Sequence, residues 1–198
     1  MTVHTALVVV ADGSEEIEFS ASVDVLARGG FSVTTASVMP GDGKICKLSR
    51  GLKVEADANI SHLSSHNFDV VVVPGGMPGA KHCAESSHLI SLLKNQKARG
   101  GWYAAICASP AVVFRAKNIV SDEKMVCYDY KDFNDVLISG GNMGKGRVAV
   151  SGKCITSVGP SSAIDFALGI VECIAGKSKA DHVAKEMLMT ERSHPVMQ

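Results

Sequence analysis

Cys107 lies between two apolar runs, "GGWYAAI" and "ASPAVVF". The first reads as a strand, and "ASPAVVFRAK" opens a helix with Pro110 tolerated in its first turn. A side chain on so tight a strand-to-helix turn is thrust out of the sheet and held rigid. The next backbone N–H points into the same space, which is the logic of a nucleophile elbow. Small residues must flank the nucleophile for the turn to close, and Ala105, Ala108 and Ser109 qualify. The chemistry is attack by a thiolate. A free thiol with a pKa of ~8.5 is only a few per cent ionised at neutral pH. Lowering it by about two units takes ~2.7 kcal/mol, whereas a helix N-terminus supplies ~0.3–1 and at most ~2. Another group has to hydrogen-bond the sulfur.

The acids that the topology brings near are Glu15, Glu16 and Glu18, in "EEIE" after the first apolar run. An ionised glutamate would repel a thiolate, whereas a protonated one would donate to it, which requires a carboxyl pKa raised by burial. The pattern leaves the three open. "VVPGG" adds backbone donors: glycines at a strand end permit close approach, so Gly76 N–H and Ala108 N–H can form an oxyanion hole. The plain alternative for Gly75-Gly76 is a tight turn.

These parts need a frame, and the chain supplies short apolar runs alternating with helical patterns. "TALVVV" (5–10), "FSVTTASV" (31–38), "FDVVVVPGG" (68–76) and "WYAAIC" read as strands. The continuous valines suit a strand covered on both faces. "SEEIEFSASVDVLARGG", "SSHLISLLKNQKARGG", "GPSSAIDFALGIVECIAG" and "SKADHVAKEMLM" read as helices. A hairpin or paired edge strands is expected within "MPGDGKICKLSRGLKVEADANI". "KMVCYDY" and "RVAVSGKCITSVG" read as strands, and "NDVLISGGNMGKG" as a loop or insertion. The expectation is one α/β domain over residues 1–198: a doubly wound sandwich, mostly parallel, with helices on both faces. In such folds ligands sit beyond the carboxyl ends of the strands. The turns "ADGSEEIE", "PGGMPGA" and "CASP" would converge there.

Composition excludes several classes. Twenty basic and twenty acidic residues cancel, so no global electrostatic hold on nucleic acid or anionic lipid is expected. "TALVVVA" is short, lacks a basic leader and runs into acidic residues, and nothing approaches the ~18 apolar residues of a membrane span. The six cysteines show no CxxC or Cys/His metal spacing. No metal or cofactor is expected, and a reducing, cytoplasmic setting fits best.

"EEIE", "VVVVPGG", "AAICASP" and "SVGPSSAIDFAL" occur in the order and spacing of the ThiJ/PfpI superfamily. The sequence most resembles the branch holding Parkinson disease protein 7 and the bacterial ThiJ/YajL proteins, over roughly Thr5 to Met189. The resemblance implies a flavodoxin-like homodimer with Cys107 reactive and Glu18, rather than Glu15 or Glu16, paired with it. It places the backbone donors at Gly76 and Ala108, and Ser49-Arg50 near the site and dimer interface. Two departures stand out. Some members carry a histidine on the strand facing the cysteine, where "EKMVCYDYK" offers only Tyr128, and Val158 replaces an arginine.

The implied function is in oxidative and carbonyl stress. One reading is cofactor-free glyoxalase or deglycase chemistry on methylglyoxal or its adducts, weak for want of the histidine. The other is a non-enzymatic redox sensor or chaperone, with peroxide oxidising Cys107 to sulfinate. A peptidase is disfavoured because Ala108 stands where peptidase-like members carry a histidine. No His-x-Glu follows Cys107 to suggest an amidotransferase. Cys46, Cys127, Cys154 and Cys173 read as small buried residues, with Cys46 a secondary candidate for oxidation. His62, His66, His82 and His88 read as surface groups in loops or helix starts, without partners. His82 and Cys83 lie close enough to "PGGMPGA" to border the site.

Overall fold

The computed structural model describes residues 3–63 and 66–198. Strand β1 (Thr5–Val10) leads into helix α1 (Glu16–Arg28), then β2 (Ser32–Ser37). The glycine-rich stretch that follows folds as an antiparallel hairpin of β3 (Ile45–Lys47) and β4 (Lys53–Glu55), and β5 (Ala58–Asn59) returns to the edge beside β2. Next come β6 (Val70–Val73), α2 (Gly79–Glu85), α3 (Ser87–Ala98) and β7 (Trp102–Ile106). A π-helical segment (Pro110–Arg115) and α4 (Lys131–Ser139) precede β8 (Val148–Ser151) and β9 (Cys154–Ser157). Helices α5 (Ala163–Ala175) and α6 (Lys177–Glu186) and a short β10 (Val196–Met197) complete the order.

The main sheet runs β10-β8-β9-β7-β6-β1-β2-β5, parallel throughout except for the β8–β9 hairpin. Strand alternation divides its apolar residues between two cores. Val8, Val10, Val70, Val72, Ala104 and Ile106 face α1, α5 and α6, whereas Leu7, Val9, Val71, Val73 and Ala105 face α3 and the π-helical segment. Each large apolar side chain so buried contributes about 1.5–3 kcal/mol. This is the flavodoxin-like, doubly wound architecture. The chain leaves β1 for β2 on one side and returns to β6 on the other. The loops after β1, β6 and β7 therefore open at the switch in strand order, where such folds bind ligands.

Three segments depart from expectation. Residues 124–130 form no regular strand: the Val126 N–H donates to Thr156 Oγ1 at 3.0 Å and the Tyr128 N–H to the Cys107 carbonyl at 2.8 Å, leaving only a bridge between Met125 and Met143. "NDVLIS" is not a loop but most of α4, with Phe133 and the buried Leu137 four apart on one face. After the elbow the helix is wound wider than α, with Ala116 N–H donating five residues back to Ala111. Helix α2 and strand β10 are additional to the sequence reading. Among the described residues no helix is long and apolar enough to cross a membrane.

Candidate functional site

Cys107 adopts φ 66°, a left-handed conformation that residues with a Cβ seldom hold. Surrounding bonds hold it there. Its N–H donates to the Ser157 carbonyl at 3.0 Å, its own carbonyl accepts from Tyr128, and Ser109 Oγ donates to the Pro74 carbonyl at 2.6 Å. That last bond ties the elbow to the "PGG" loop. The strain is over-determined by its neighbours, as at functional turns.

The three glutamates of "EEIE" have three separate tasks. Glu15 is the N-cap of α1 and accepts the Glu18 N–H at 2.9 Å. Glu16 accepts Ser49 Oγ at 2.8 Å and the Arg50 N–H, fixing the hairpin turn beside the site. Burial works against its charge, but these hydrogen bonds outweigh it and hold its carboxyl below the usual value. Glu18 is fully buried and faces the cysteine. Its Oε2 accepts the Gly75 N–H at 2.7 Å, while Oε1 is buried without a hydrogen-bond partner.

Burial pushes Glu18 up from 4.5 to about 7; the Gly75 N–H opposes this, and the Glu15 charge adds to it. An orphaned, buried carboxylate oxygen is costly and a carboxylic acid less so. Burial, then the Glu18 charge, push the Cys107 thiol up to about 12, against the Gly76 and Ala108 N–H groups, which favour the thiolate. Between those values the pair holds one proton, on the sulfur, and the Glu18 carboxylate facing it is the base that can take it. When Glu18 holds it, the charge opposing the thiolate is gone while the two backbone donors remain.

The glycines are required by contact. A Cβ on Gly75 would lie 2.5 Å from Cys107 Cβ and 2.9 Å from Glu18 Oε2. Gly76, at φ +85°, would drive a Cβ to 2.6 Å from the Glu15 nitrogen.

A cleft of about 390 Å³ opens over Cys107, Gly76 and Ala108, with Arg50 and Tyr128 also on its wall. Cys107, Gly76, Ala108, Arg50 and Tyr128 thus line one cleft, and Glu18 is buried behind it, facing the cysteine. The sequence reading missed Met77, Tyr130, Phe133 and Pro160, which also line it. The i, i+4 spacing of Phe133 and Leu137 was the signal for the helix that brings Phe133 in. Other expectations require correction. His82 lines a different cleft, beside Asp42 and His88, and Cys83 is wholly buried. His62 does have a partner, Asp42, at 3.3 Å. Cys46 is not exposed to oxidant; it is fully buried against Ser37 Oγ at 3.4 Å, and burial raises its thiol.

A flavodoxin-like layer with a cysteine on a left-handed elbow, a buried carboxyl below it and two N–H groups beside it defines a class of thiol-bearing α/β proteins. The family model described as DJ-1/PfpI matches residues 4–173, and the chain belongs to that family. Protein dj-1beta of Drosophila melanogaster is 40% identical over 186 residues, covering 93% of this chain and 97% of the relative. The glutathione-independent glyoxalase DJR-1.2 of Caenorhabditis elegans is 33% identical, covering 91% and 93%. The solved structure of oxidized Toxoplasma gondii DJ-1 superposes with a TM-score of 0.91 at 43% identity, covering 96% of this chain and all of that one.

Proposed function

We propose that this protein is a cofactor-free glyoxalase or deglycase of carbonyl stress, acting on methylglyoxal or its early adducts through Cys107. The carrying observation is the buried Glu18 carboxyl facing a strained elbow cysteine whose sulfur also meets two backbone N–H groups. As Glu18 takes the thiol proton, Cys107 sulfur bonds to the aldehyde carbon and the carbonyl π pair moves onto oxygen. Gly76 and Ala108 N–H, which meet the sulfur in the resting site, then donate to that oxyanion. Glu18, having delivered a proton to the oxyanion, removes the hydrogen on the former aldehyde carbon. Glu18 returns that proton to the neighbouring carbon while the hydroxyl proton on the former aldehyde carbon passes to the ketone oxygen, leaving a thioester beside a hydroxyl. Water cleaves the thioester to the hydroxy acid and returns the thiol. The aldehyde carbon is oxidised and the ketone carbon reduced, so no external oxidant enters. The name of the worm relative supports this substrate class.

A second reading is a redox sensor in which peroxide oxidises Cys107 to sulfinate. It is favoured by the absence of any histidine among the described residues lining the cleft. It is also favoured by an oxidized form recorded for the Toxoplasma relative. Both readings expect a homodimer, which light scattering of the purified chain would test.

The deciding measurement is methylglyoxal consumption with lactate detection for wild type, Cys107→Ala, Glu18→Gln and Tyr128→Phe. Catalytic lactate lost in the Cys107 and Glu18 variants supports the enzyme. Tyr128→Phe then reports whether the phenol assists. No turnover above the Cys107→Ala background removes the enzyme reading for this substrate and leaves stoichiometric oxidation of Cys107 as the function to pursue.

A further inference from the structure

The lining of the cleft is mixed. Beside Cys107, Gly76 and Ala108 it has the polar Glu15, Ser49 and Arg50, and it also carries Tyr128, Tyr130, Phe133, Met77 and Pro160. A volume of about 390 Å³ falls in the range of sites for much larger molecules than a three-carbon ketoaldehyde. Tyr128 and Tyr130 are 47% and 53% exposed in the single chain, beside the reactive group.

The wall is also organised. Tyr130 and Phe133 meet edge to face, with ring centroids 5.3 Å apart at 64°. The Tyr130 N–H donates to the Tyr128 carbonyl at 2.8 Å, which sets the spacing of the two phenols. Tyr128 packs against Gly159, where a Cβ would come within 3.2 Å of its ring. Phe133 lies in the first turn of α4, a helix anchored by the buried Leu137. Aromatic rings fixed by backbone bonds and a helix lose little freedom when a flat apolar group settles against them.

We infer that Tyr130 and Phe133, with Tyr128, form a specificity subsite for an aryl group carried on the dicarbonyl. Aryl α-ketoaldehydes are then better substrates than methylglyoxal. The inference rests on the glyoxalase reading for the chemistry but not for the binding. The attacked aldehyde stays over Cys107, and the group on the ketone carbon, a methyl in methylglyoxal, extends along the aromatic wall.

The test separates binding from turnover. Mandelate, the hydroxy acid that phenylglyoxal would yield, is titrated against lactate into the wild-type protein by NMR shift perturbation. The same titrations follow in Tyr130→Ala and Phe133→Ala, with thermal unfolding as the check on folding. Mandelate should bind at least about tenfold more tightly than lactate, and the ratio should fall toward one in both variants. In turnover, wild-type kcat/KM should favour phenylglyoxal over methylglyoxal by about tenfold or more. Mandelate binding no tighter than lactate overturns the subsite whatever the activity, as does a preference that survives Tyr130→Ala. If Phe133→Ala does not fold, the wild-type comparison and the exposed Tyr130 still decide. Tight mandelate binding without turnover of either aldehyde sustains the subsite and removes the glyoxalase reading alone.

Discussion

Glu18 accepts the Gly75 N–H at 2.7 Å across 57 positions of sequence. This one bond joins the first helix to the loop facing the elbow, and it explains why position 75 has no room for a side chain. The glycine lies between the carboxyl and the sulfur-bearing residue, so their spacing depends on the missing Cβ.

Gly75→Ala should therefore separate the pair. The added methyl would meet Cys107 Cβ at 2.5 Å, the Ile106 carbonyl at 2.8 Å and Glu18 Oε2 at 2.9 Å. Overpacking of this kind costs about 1–3 kcal/mol. Urea unfolding should show that loss, together with slower alkylation of Cys107. Gly43→Ala, with open space around it, should stay within about 0.5 kcal/mol of wild type. Equal stability of the two variants would contradict the close approach.

Stability should fall with pH through Glu18. In the folded protein its carboxyl titrates at about 7, against 4.5 when unperturbed, because burial penalises the charge. Between these values the native state holds more protons than the unfolded chain, so stability declines as pH rises across the window and levels off above it. The full shift corresponds to about 3 kcal/mol. Carboxyls held low act elsewhere: Glu123, at about 2, and Asp181, at about 2, lose their contributions as pH falls below their unperturbed values. Glu18→Gln should abolish the decline between pH 4.5 and 7 in denaturant titrations. A wild-type decline unchanged in that variant would assign it to another group.

The same proton governs reactivity. If the pair loses its first proton near pH 7, iodoacetamide labelling of Cys107 should rise through that pH and then flatten, because the thiol transfers its remaining proton to Glu18 as it reacts. In Glu18→Gln the step near 7 should vanish and the rate at pH 7.5 should drop by about tenfold or more. Peptide mass mapping would assign the label. A wild-type profile climbing only above pH 9 would show that Glu18 takes no proton from the sulfur.

The frame was legible where periodicity and topology speak together. Val70–Val73 and Thr5–Val10 announced strands covered on both faces, and the turns after them announced the crevice. Within "EEIE", residue types alone did not divide the work, because N-cap, hairpin anchor and buried acid are all filled by glutamate. Resemblance pointed to Glu18; only the packing of α1 against the loop after β6 shows why it, rather than its neighbours, is the fully buried one facing the sulfur. The aromatic wall was hidden for another reason. Tyr128 and Tyr130 lie in a segment of strand-like composition whose N–H groups are claimed one at a time by Thr156, Cys107 and Tyr128 itself, so no ladder forms.

The strain at the elbow is itself measurable. Cys107 at φ 66° carries a Cβ in the left-handed region, which costs roughly 1–2 kcal/mol for a residue other than glycine. Cys107→Ala keeps that Cβ and therefore keeps the strain, while Cys107→Gly releases it. Both substitutions remove the thiol, so the difference between them isolates the backbone. Glycine gains flexibility in the unfolded chain, which offsets the release by roughly 0.5–1 kcal/mol. Cys107→Gly should still equal or exceed Cys107→Ala in urea stability, whereas at an ordinary helical or strand position Gly would be the weaker of the two. An alanine variant more stable than the glycine variant by a full kcal/mol would mean that the turn is relaxed. The thiol's placement would then owe nothing to stored strain.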